Sequence, residues 1–153
     1  MMTRAAVIAI ALSAAPGLAQ ERPKDAAGLF PYWDEAAVAQ GATLYAETCA
    51  ACHGAALEGE GDWRERNADG SFRAPPHDET GHTWHHPDAQ IFAITKHGTE
   101  AVTGGAVQSA MEGFGDLLSD EEILAVLAFI KAQWPDQIIA RHNGLNQRYE
   151  ASQ

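Results

Sequence analysis

The chain has 153 residues, 46% hydrophobic and 20% charged, which suits one globular domain with appendages and excludes a disordered chain. Ten Lys and Arg stand against 21 Asp and Glu, and the formal net charge of −11 argues against nucleic acid or anionic lipid as a partner. Two cysteines exclude a disulfide-stapled scaffold, and no apolar run approaches the ~20 residues of a transmembrane helix.

Residues 1–19 read MMTRAAVIAIALSAAPGLA. Arg4 gives a basic start, Ala5 to Ala15 is apolar apart from Ser13, and Gly17-Leu18-Ala19 offers small residues at a cleavage site. This is the pattern of a secretory signal peptide cut after Ala19. Its removal takes away only Arg4 among the charged residues. The remainder is then expected outside the cytoplasm, in the periplasm if the source is bacterial, where free thiols oxidise. Residues 20–33 form an irregular lead-in. Asp34 is a suitable N-cap for a helix reaching about Ala51. Val38, Gly41, Tyr45, Thr48 and Cys52 recur at helical spacing, which puts Cys52 on the buried face.

Both cysteines lie in Cys49-Ala50-Ala51-Cys52-His53. A Cys-x-x-Cys pair can be a dithiol redox centre, but the βαβ pattern of a thioredoxin-like fold is missing. It can be half of a zinc site, but there is no second cysteine pair. With His directly after the second Cys it is the signature of c-type haem attachment. Two thiols on one helical turn can each bond a porphyrin vinyl group, and the next side chain then directs its imidazole at the iron. Cys49 and Cys52 are therefore the expected thioether residues, and His53 the first axial ligand.

Residues 54–86 are rich in Gly, Asp, Asn and Pro and read as a long loop. Loops of this length are uncommon in a compact domain unless they have a task, which here is to wrap the prosthetic group. His77, His82, His85 and His86 cluster within it. One reading is a second, copper-type metal site, since imidazole suits that metal. Another is hydrogen bonding and packing, and a third lets one of these histidines ligate the iron. Trp63, Trp84 and Phe92 are candidates for the pocket wall, with plain packing as the alternative.

Pro87 opens a short helix through about His97, which Gly98 stops. Gly104 and Gly105 begin a loop that carries Met111. Once Met1 and Met2 leave with the signal, Met111 is the only thioether, and a Met/His pair is a common ligand set for electron-transfer haem. Core filling is the alternative role for it. Ser119-Asp120-Glu121-Glu122 is a capping box, and Ile123, Leu127, Ile130 and Trp134 give its helix an apolar stripe ended by Pro135. This helix should cross the first at Gly41, beside Leu127 or Phe129. Residues 136–149 continue as a helix to about Asn143-Gly144, followed by a fraying tail.

The haem motif Cys49–Gly54, the pair Gly41 and Tyr45, Met111-x-x-Phe114, Leu118–Glu122 and the helix ending Trp134-Pro135 resemble the class I c-type cytochromes, the small monohaem cytochrome c family. The resemblance covers about residues 34–135. It implies an all-α fold around one covalently bound haem c, with His53 and Met111 as axial ligands and Pro75 or Pro76 offering a carbonyl to the proximal imidazole. The implied organisation is signal peptide 1–19, lead-in 20–33, cytochrome domain 34–135 and C-terminal extension 136–153. It further implies a one-electron carrier without a substrate site, monomeric, exchanging electrons with other redox proteins. Given the acidic chain, those partners should present basic docking surfaces. The alternatives are a haem enzyme or sensor with a displaceable sixth ligand, and a cytochrome with an added histidine-based copper site.

Overall fold

The computed structural model describes residues 20–153; the signal-like segment 1–19, with Met1 and Met2, lies outside the described residues. Six helices follow in chain order: α1 (Glu35–Thr48), α2 (Ala50–His53), α3 (Asp88–His97), α4 (Thr99–Val102), α5 (Asp120–Ala132) and α6 (Asp136–Glu150). A single 3₁₀ turn spans Thr83–His85. No strand occurs among the described residues, only isolated bridges joining Phe72 to Arg66 and to Ser109.

Asp34 starts α1 by accepting the amides of Ala36 and Ala37 at 2.9 and 3.2 Å. The helix does not run unbroken to Ala51. It stops at Thr48, Cys49 caps it, and the next turn starts afresh as α2. With the protein alone, Cys52 is exposed and Cys49 half-buried. α5 begins with the full capping box, Ser119 and Glu122 bonding each other's backbone amides. Its stripe of Ile123, Leu127 and Ile130 is buried, and Trp134 just beyond it is 4% exposed.

The most extensive helix contact is α1 across α5. Gly41 makes it possible, because its α-carbon faces the Ala125 carbonyl and lies close to Phe129. The approach is thus to Ala125 and Phe129, with Leu127 not among the atoms nearest Gly41. Tyr45 fills the adjoining space, its ring 5.4 Å from that of Phe129.

α3 starts one residue later than the proline pattern suggests, with Pro87 as cap rather than first helical residue. α6 departs most from expectation. It passes through Gly144 to Glu150 instead of fraying there, because its polar side chains are held inside. His142, Asn143 and Asn146 are all buried. Asn146 exchanges two hydrogen bonds with Asp88 at the start of α3, each 2.8 Å. It also donates to the Ala27 carbonyl, while Asn143 donates to the Tyr32 hydroxyl. The irregular lead-in is thereby strapped to the C-terminal helix, with Ala27 and Phe30 in the interior.

Candidate haem site

Cys49 caps the turn α2, which carries Cys52 and His53. His53 is only 6% exposed. Its Nδ1–H donates to the Pro75 carbonyl at 2.9 Å, so Pro75 rather than Pro76 supplies that acceptor. Burial pushes the imidazole below its ordinary pKa, opposed by the Pro75 bond and by Glu60. A neutral ring with its proton on Nδ1 presents the Nε2 lone pair to a metal, the arrangement found at most metal-ligating histidines.

The loop after the motif is shaped to make that bond. Gly54 has φ +80°, and a side chain there would meet Glu58. Tyr45 donates its hydroxyl to the Gly54 carbonyl at 2.9 Å, and burial pushes that phenol well up, so it stays a donor. Leu57 takes φ +67°, unusual for a branched residue. Its carbonyl then accepts the His77 amide at 2.8 Å, which draws residues 75–77 alongside α2. Neither cysteine is in a disulfide. Burial pushes the Cys49 thiol up, partly offset by the Thr48 hydroxyl 3.3 Å from its sulfur.

Met111 stands on a separate segment, half-buried, with no hydrogen bond to the motif among the described residues. Its amide donates to the Ser109 hydroxyl and its carbonyl accepts the Thr99 amide. The segment is pinned to the end of α3, where the amides of Phe114 and Gly115 reach the carbonyls of Thr95 and Lys96. Gly113 allows this closeness, since a side chain there would strike the His97 backbone. The long loop touches this segment too: Phe72 donates its amide to the Gln108 carbonyl at 3.2 Å, and Gln108 bonds Asp69. One loop therefore braces both His53 and the strand of chain leading to Met111.

The four histidines of the loop do not act as a set. His77 lies face to face with His53, ring centroids 4.0 Å apart. His82 stacks on Trp63 and meets His86 edge-on, while His85 packs against Trp84. No group of three or more His, Cys, Asp or Glu able to hold a metal ion occurs among the described residues. Trp84 and Phe92 pack on the apolar core. Sequence reasoning did not separate His77 from its neighbours; the prolines just before it, which bring the chain back to the motif, were the one available signal.

These groups fit a covalently held haem: two free thiols on one turn, and an imidazole whose tautomer and orientation are fixed from behind. Residues 36–130 match a protein-family model described as cytochrome c oxidase, cbb3-type, subunit III. Neither a curated protein nor a solved structure matches the chain. The chain belongs to that family, and with it to the c-type cytochromes: an all-α, cytochrome c-like electron-transfer protein that binds haem c covalently.

Proposed function

We propose that this is an exported, soluble, monomeric cytochrome with one haem, carrying single electrons between redox partners and having no substrate site of its own. Cys49 and Cys52 would hold the haem as thioethers, and His53 and Met111 would ligate its iron. The observation that carries the reading is the His53–Pro75 bond, which dedicates Nδ1 to the protein and leaves Nε2 for the iron. When bound, haem c supplies a one-electron iron couple. Pro75 holds the imidazole plane and Gly113 lets the Met111 segment lie against α3. A soft thioether and an imidazole together would favour the reduced metal and a high potential.

The segment 1–19 supports export, to the periplasm if the source is bacterial, with residues 34–135 as the cytochrome domain between lead-in and C-terminal extension. With a net charge of −11, the chain would be steered toward basic partner surfaces, and its encounter rates would fall as salt rises.

The test is the far-red absorption of the oxidised holoprotein, where sulfur-to-iron charge transfer appears. Wild type should show the band. Met111→His should abolish it while keeping low-spin iron, and should lower the midpoint potential. A wild-type spectrum lacking the band removes Met111 from the ligand set.

A further inference from the structure

His77 is tied into the fold at three points. Its amide donates to the Leu57 carbonyl at 2.8 Å. Its carbonyl accepts the indole N–H of buried Trp134 at 2.7 Å. Its ring Nδ1 lies 2.8 Å from the Thr83 hydroxyl. Backbone and ring are thus fixed independently. The ring lies over that of His53 with 25° between planes and centroids 4.0 Å apart, the spacing of a stacked aromatic pair.

One hydrogen bond from Nδ1 to Pro75 sets where the His53 ring points, but it leaves the ring free to rock about that bond. A flat, immobile neighbour on one face removes the rocking. An axial imidazole is a π-donor, so the direction of its plane selects which iron d orbital lies highest and holds the unpaired electron of the ferric state. A ring held in one plane gives one electronic ground state and little rearrangement on electron gain or loss.

We propose that His77 is a positioning residue for the axial imidazole: with its backbone held by Leu57 and Trp134 and its ring by Thr83, it fixes the plane of His53. This rests on the reading of His53 as an iron ligand. The role needs a flat face, not a basic nitrogen. Phenylalanine should therefore serve and leucine should not, although leucine fills similar space and keeps both backbone bonds.

The experiment is electron paramagnetic resonance of the ferric holoprotein, with the midpoint potential measured on the same samples. In His77→Leu the largest g value should shift and its line broaden, and the potential should move. His77→Phe keeps the flat face but loses the Thr83 bond, so it should recover most of the wild-type signal, matching Thr83→Val. Thr83→Val, which frees only the ring tether, should broaden the line less than His77→Leu. It also serves as the test if His77→Leu fails to fold. Unchanged signals in leucine and valine variants overturn the proposal. Equal shifts in the leucine and phenylalanine variants also overturn it, since they assign the effect to the polar nitrogen. A wild-type spectrum without an imidazole ligand sinks this proposal together with the ligand assignment. A normal wild-type spectrum with unresponsive variants sinks only this one.

Discussion

Replacing Asp88 with alanine should destabilise the haem-loaded protein by about 3–5 kcal/mol, the cost of leaving a buried charge without its partner. Asp88 is 1% exposed and ties three elements, the lead-in, α5 and α6, to the start of α3. Its carboxylate accepts the amides of Leu29 and Phe30 at 2.6 and 3.0 Å and the side-chain amide of Asn146. It is also the counter-charge for Lys131, whose Nζ lies 4.0 Å away, fully buried and without a hydrogen bond among the described residues. His142 stands 3.4 Å from the same oxygen while donating to the His86 carbonyl. Chemical denaturation of wild type and Asp88→Ala gives the number, and a loss under about 1 kcal/mol refutes the account.

The deficit should also depend on pH. Burial pushes the Lys131 ammonium down to about 8, with Asp88 opposing and Arg22 adding to the fall. Between about pH 8 and its ordinary 10.5, unfolding takes up a proton, so stability rises with pH there. Burial and then Lys131 lower His142 as well, so stability drops as pH falls through the range below 6.5. Both slopes have the same sign. In Asp88→Ala the lysine loses its counter-charge and sheds its proton more easily. The gap to wild type should therefore narrow as pH rises toward about 8 and stay level above it.

The second large effect is expected at Gly41. Any Cβ there would overlap the Ala125 carbonyl and stand 3.0 Å from the Phe129 Cβ. These are backbone and stem atoms that cannot swing aside. Helix propensity alone would make Gly41→Ala stabilising by about 1 kcal/mol. The overlap should reverse that sign, and Gly41→Val should lose about 3 kcal/mol or more as α1 and α5 are forced apart. Denaturant midpoints of the glycine, alanine and valine proteins decide it. A more stable alanine variant would mean that the crossing relaxes freely.

Signals that are local in the chain were readable from the sequence. The Ser119 box and the Ile123–Ile130 stripe are complete within one helix. Asp34 caps residues two and three positions away, and the Cys49–His53 turn carries its chemistry in five residues. Contacts made by partners distant in the chain were not readable. His142, Asn143 and Asn146 give α6 a polar face that looks solvated, yet their partners on the lead-in and α3 are more than fifty residues earlier. α4 follows Gly98 so closely that the stop signal masks it. His77 belongs by sequence with His82, His85 and His86, but the positive φ of Leu57 turns it toward His53. The same folding-back selects Pro75 from the proline doublet.

The strap between the lead-in and α6 has a consequence for the order in which the molecule can assemble. Its bonds join residues 111 to 122 positions apart, as between Tyr32 and Asn143 or Gly28 and Glu150. The bond from His53 to Pro75 spans only 22 positions. Closing the longer loop carries the larger entropic cost. The lead-in and α6 therefore lock late, after the short-range bond of His53 to Pro75.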